Sequence, residues 1–124
     1  MPDTDISIQD GLLTVEQLDE GAQLRLSLRG ELDLSNVKTA EAAVNEALAS
    51  SKKVLIDLGS LEFLDSTGIA LLVGALQRSD AERLSFVPSK SSGVRRLLGL
   101  TGLDTRMARS TTGSPRSASS LPAV

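Results

Sequence analysis

The residues that could do chemistry stand in a row: Asp65-Ser66-Thr67-Gly68, set between two strongly apolar stretches. The plain reading of such a row is a helix N-cap, one side chain accepting hydrogen bonds from the open amides of the first turn and contributing about 1 kcal/mol. Two features ask for more. Glycine inside a first helical turn costs about 1 kcal/mol relative to alanine, so Gly68 signals close approach by another backbone or molecule. Two adjacent hydroxyls with no base nearby are poor catalytic nucleophiles, yet adequate acceptors of a phosphoryl group delivered by another enzyme. A phosphate adds about −1.5 to −2 charges at neutral pH. At a helix N-terminus the dipole and the amides favour it. A partner packed against the neutral hydroxyl would instead meet a desolvated charge.

Composition removes the alternatives. The chain has 124 residues, enough for one core, and a formal charge of −3, without the dense basic patch of a nucleic-acid binder. It contains no Cys, hence no disulfide, thiol nucleophile or thiolate metal site. It contains no His, so a Ser-His-Asp triad is impossible and the commonest neutral-pH base and metal ligand is missing. Carboxylate-only metal binding or paired-carboxylate hydrolysis stays open, but no acidic cluster stands at a suitable spacing. Tyr and Trp are absent as well, leaving little to stack on bases or sugars. No apolar stretch is long enough to span a bilayer, and no signal-peptide pattern opens the chain, so a cytoplasmic, non-enzymatic protein without metal or cofactor is expected. The glycines around residues 59–68 lack the Gly-Lys-Ser/Thr ending of a P-loop.

The elements that must position the row follow from patterning. Residues 54–58 read as a buried strand, Gly59-Ser60 as a break, and residues 61–64 as an apolar loop anchoring the cluster near the core. After Asp65, Ile69, Leu72, Val73 and Leu76 share a helix face, with Leu71, Gly74 and Ala75 filling much of the rest; a helix this apolar is buried or covered by a partner. Upstream, residues 1–11 form a loose, partly extended lead-in with Ile6 and Ile8 scattered in it. Residues 12–19 form a weak strand, Asp19-Glu20-Gly21 a turn, and residues 22–29 a strand with Leu24, Leu26 and Leu28 on one face. Gly30 ends that strand. Ser35 is the expected cap of a helix burying Val37, Ala40, Val44, Ala47 and Leu48. Strand, helix, strand implies a parallel pair with a right-handed crossover. Downstream, residues 82–87 read as a strand stopped by Pro88. Residues 90–98 read as a helix capped by Ser89, packed through Val94, Leu97 and Leu98, with Gly99 as the C′ residue. Residues 101–107 form a last short strand or helix. From residue 108 onward Ser, Thr, Gly and Pro dominate, and too little apolar surface remains to offset ordering entropy.

These residues resemble a family. Phe63-Leu64-Asp65-Ser66-Thr67-Gly68-Ile69-Ala70 is similar to the phosphorylation motif of bacterial anti-sigma factor antagonists, single-domain members of the STAS family. Gly30-Glu31-Leu32-Asp33 resembles its post-strand segment. Val94-Arg95-Arg96-Leu97-Leu98 and Thr101-Gly102-Leu103 resemble its C-terminal helix and turn. The likeness covers roughly residues 12–107, with Ala70 departing from a common Gly.

The resemblance implies an α/β fold, a mixed β-sheet with helices packed against it; with the composition it gives a domain over residues 1–107 and, from composition alone, a disordered tail over residues 108–124. It implies partner switching: the unphosphorylated protein binds an anti-sigma factor that is a serine kinase, freeing a sigma factor for transcription in a stress response. The kinase phosphorylates Ser66, and a metal-dependent PP2C-type phosphatase reverses this. Asp33, Asp65, Ser66, Thr67 and Gly68 are the implied partner-binding residues, with no direct contact to nucleic acid or membrane. The alternative within the family is a scaffold subunit of a stress-signalling or lipid-transport complex.

Overall fold

A computed structural model describes residues 6–79 and 82–102. Among these residues the chain forms six strands and three helices: β1 (Ile6–Asp10), β2 (Leu13–Asp19), β3 (Gln23–Leu32), α1 (Val37–Ala49), β4 (Lys53–Asp57), β5 (Leu61–Leu64), α2 (Ser66–Gln77), β6 (Leu84–Val87) and α3 (Ser92–Leu100). The tail at 108–124 and the last element, beyond Gly102, lie outside the described residues.

The sheet runs β1-β2-β3-β4-β6, with β5 also beside β3. β1 and β3 each lie antiparallel to β2, while β3/β4, β4/β6 and β3/β5 are parallel. The clean alternation of residues 22–29 thus becomes the central strand, and α1 is the crossover to its parallel neighbour, as the patterning demands. Leu24, Leu26 and Leu28 of β3 pack with Val54 and Ile56 of β4 and with Leu84 and Phe86 of β6, all buried in one cluster. Ala40, Val44 and Ala47 of α1, Leu72 and Ala75 of α2, and Val94 and Leu98 of α3 complete it. Each large apolar side chain buried this way contributes about 1.5–3 kcal/mol relative to exposure.

Two segments are more regular than their sequence reading. The lead-in contains β1, a regular edge strand whose Ile6 and Ile8 remain largely exposed. Its burial is too slight for alternation to betray it. Residues 61–64 are not a loop: they form β5, four residues paired in parallel with the end of β3. That pairing explains why β3 continues to Leu32. β3 pairs with β4 over residues 23–27, then changes partner at a bulge between Gly30 and Glu31 and takes up β5. Gly30 makes the change possible. Its φ is +95°, and a Cβ there would collide with the carbonyl oxygen of Leu12, the same oxygen that accepts the Glu31 N–H at 3.0 Å. Only glycine takes that conformation without strain.

The caps also shift. α1 starts after Asn36 rather than at Ser35. Ser91 caps α3, its hydroxyl accepting the Val94 N–H. Ser89 is instead buried, donating its hydroxyl to Leu61 O at 2.6 Å and accepting the Ser91 N–H. Gly99 lies within α3, and the positive φ of 83° that ends a helix belongs to Gly102, just after the C-cap Thr101.

Candidate functional site

β5 delivers the chain to the end of β3, and α2 begins there. Asp65 is the N-cap, in extended backbone, and its N–H donates to Leu32 O at 3.2 Å. Asp65 Oδ1 accepts the Thr67 N–H at 2.9 Å, the Thr67 hydroxyl at 2.5 Å and the Gly68 N–H at 3.2 Å. Oδ2 reaches the other way and accepts the Leu34 N–H at 3.1 Å. One carboxylate therefore caps α2 and pins the β3–α1 loop. The Thr67 hydroxyl, followed by the Gly68, Leu34 and Thr67 amides, holds its carboxyl below the usual 3.8 despite partial burial.

The loop at residues 33–36 is tightly determined. Asn36, only 2% exposed, uses both ends of its amide. Oδ1 accepts the Asp33 N–H at 2.9 Å, and Nδ2 donates to Glu31 O at 3.0 Å and Asp10 O at 3.4 Å. Asp33 Oδ1 accepts the N–H and hydroxyl of Ser35 at 2.9 and 2.6 Å. Asn36 was not a sequence candidate; as the third residue after an acidic loop position and the last before a helix, its type and place were the available signal.

The sequence candidates separate by role. The Asp65–Leu34 bond brings the Asp33 loop beside the Asp65-Ser66-Thr67-Gly68 row. Ser66 is the first residue of α2 and is exposed. No hydrogen bond engages its hydroxyl among the described residues. Thr67 is half-buried, with its hydroxyl proton committed to Asp65. Gly68 is buried, and the close approach it signals comes from within the chain: a Cβ would lie 2.5 Å from Leu64 Cδ1 and 2.9 Å from Leu32 Cγ. Gly68 therefore seats α2 on β3 and β5 and fixes where Ser66 projects. The α2 face differs from the expected one in the same way. Gly68, Leu71, Leu72 and Ala75 are the buried positions, while Ile69, Val73 and Leu76 are partly buried. Two of the first-turn amides are not open either, because Asp65 already occupies those of Thr67 and Gly68. A phosphate on Ser66 would stand beside that carboxylate, so the helix dipole favours it and the carboxylate opposes it.

Among the described residues no group of three or more Asp or Glu side chains could hold a metal, and no helix is long and apolar enough to cross a membrane. An exposed hydroxyl at a rigid helix start can receive a group or meet a partner.

Known proteins resemble this chain in sequence and fold. A family model described as Mlab, STAS domain, matches residues 16–109. The chain is 33% identical over 93 residues to the anti-sigma-F factor antagonist RsfB of Mycobacterium tuberculosis, covering 74% of this chain and 76% of that protein. Its structure is similar to that of an anti-sigma factor antagonist from Mycobacterium paratuberculosis, with a TM-score of 0.73 and 27% identity, covering 87% of this chain and 94% of that one. The unphosphorylated form of the antagonist SpoIIAA shares the fold at a TM-score of 0.63 and 22% identity, over 76% and 85% of the two chains.

Proposed function

The chain belongs to the STAS domain family, and from that premise we propose that it is a cytoplasmic anti-sigma factor antagonist whose docking surface is switched off by phosphorylation of Ser66. The observation that carries this reading is the placement of Ser66 at the first position of α2, exposed and with no hydrogen bond to its hydroxyl among the described residues, on a helix start that Asp65 caps and Gly68 seats. The relative at 33% identity is named as an antagonist of an anti-sigma factor, which supports the partner class.

In the unphosphorylated state the strand end with Ser66 docks on an anti-sigma factor that is also a serine kinase, and the sigma factor is released. The kinase then transfers the γ-phosphoryl of ATP. The Ser66 Oγ–P bond forms, the bond to the bridging oxygen breaks, ADP leaves, and the hydroxyl proton passes to a base of the kinase. This chain has no histidine to take it, and the carboxylate of the preceding residue, Asp65, accepts from four donors that favour its ionised form. The added charge lies within the docking surface and weakens it. A PP2C-type phosphatase resets the switch. Asp33 contributes charge beside the docking surface, Asp65 holds it in shape, and Thr67 and Gly68 position Ser66.

Calorimetric titration of Ser66→Ala and Ser66→Asp against the kinase tests this. The alanine variant is expected to bind like the unphosphorylated wild type and the aspartate variant more weakly. Equal affinities would contradict the switch.

A further inference from the structure

Seven large apolar side chains are exposed among the described residues, and three of them, Leu12, Leu34 and Phe63, stand at the strand end that carries Ser66. Their backbones are linked there. Leu12 O accepts the Glu31 N–H, Glu31 is the register partner of Phe63, and the Leu34 N–H donates to Asp65 Oδ2. Leu34 is the most exposed of the three, at 72% against 68% for Leu12 and 46% for Phe63. A lone exposed leucine means little. Leu34 differs because its loop is fixed at both ends, by Asp65 and by the buried Asn36 amide. A leucine on a mobile loop would lose backbone freedom when a partner covered it, but the backbone here is already held on both sides.

We propose that Leu34 is the apolar anchor of the docking surface, inserting into an apolar pocket of the anti-sigma factor kinase next to the centre that receives Ser66. This rests on the function proposed above. Charge defines the rest of the partner's face. Glu31, Asp33, Glu62 and Asp65 flank Leu34 and Phe63 in sequence or register, and neither residues 30–37 nor residues 54–77 contain a Lys or Arg; Lys38 and Arg78 lie on the other side of Thr67, lining a groove with Ala70. The occupant is therefore an apolar pocket rimmed by basic groups. A second copy of this chain would bring the same acidic rim against itself.

The test uses the full chain and the anti-sigma factor kinases encoded in the same genome, each titrated by calorimetry with ADP bound. Leu34→Ala is expected to weaken binding at least about tenfold and to melt at the wild-type temperature, because its side chain is exposed. Leu34→Met is expected to restore most of the affinity. Leu100→Ala removes an equally exposed leucine on α3 and is expected to bind as wild type. A wild-type chain that binds a kinase while Leu34→Ala binds it equally well would overturn the anchor and leave the proposed function standing. A Leu34→Ala variant that alters only self-association in sedimentation would overturn it in favour of a second copy. A wild-type chain that binds none of the kinases would overturn the proposed function and the anchor with it.

Discussion

The carboxylate of Asp65 joins two segments far apart in sequence: Oδ1 caps α2, and Oδ2 accepts the Leu34 N–H at 3.1 Å. Removing it should act on both. Asp65→Ala is expected to lower the unfolding free energy by about 1–2 kcal/mol, the usual cost of a lost cap. It should also speed hydrogen exchange at the Leu34 amide. Urea melts and exchange measured by NMR check this; unchanged protection at Leu34 would mean that the bond does not hold the loop.

The same carboxylate predicts a pH dependence. Its folded pKa is depressed, so its contribution is fully present above the unfolded value of 3.8 and is lost as pH falls through the folded one. Asp19, lowered chiefly by its hydrogen bond to Lys52, acts in the same direction. So does Glu20, lowered chiefly by the Gln23 amide and then by Arg25, from a usual 4.5. With no histidine in the chain, melting temperature should be flat near neutrality and fall once pH drops below about 4.5. Asp65→Asn should make the acid limb shallower in thermal melts across that range.

Two glycines should respond unequally to alanine. At Gly68 a gain of about 1 kcal/mol in helix propensity opposes overpacking against Leu32 and Leu64, which typically costs about 1–3 kcal/mol. Net destabilisation is expected, with the start of α2 displaced. Gly30→Ala meets backbone rather than side chain and needs a positive φ, so it should destabilise more. Denaturant midpoints compare the two directly; the reverse order would contradict the role of the bulge.

Asn36→Ala should cost about 1–3 kcal/mol, because it leaves the part-buried Glu31 carbonyl without this donor and the Asp33 N–H without its acceptor. The effect should extend to kinase affinity through the loop at residues 33–36. Stability loss with unchanged affinity would separate the loop from the docking surface.

Much of this arrangement was legible in the sequence because it follows from burial. The leucines of β3, the apolar run of β4 and the α1 stripe between them are each read by one-sided hydrophobicity, and their parallel pairing follows. The Asp65-Ser66-Thr67-Gly68 row was legible because capping residues mark a helix start and a glycine inside the first turn is unfavourable there. The remainder depends on relations that no local pattern carries. β1 is exposed along its length, so its two isoleucines do not announce a strand. β5 is too short to show a period and is a strand only because β3 changes partner at Gly30. Helix starts slipped by one or two residues because several serines compete for each cap, and tertiary bonds chose among them: Ser89 was drawn to Leu61 O, which left Ser91 to cap α3. Gly68 pointed to a close approach, but only the fold shows that Leu32 and Leu64 make it.

The central claim is that Ser66 receives the regulatory phosphate. Incubation of the full chain with the anti-sigma factor kinase and ATP, followed by mapping of the phosphate by mass spectrometry, tests it most directly. Phosphate on Ser66, and none on Thr67, whose hydroxyl is held by Asp65, is the predicted result. Phosphate at another residue with Ser66 unmodified would contradict the account.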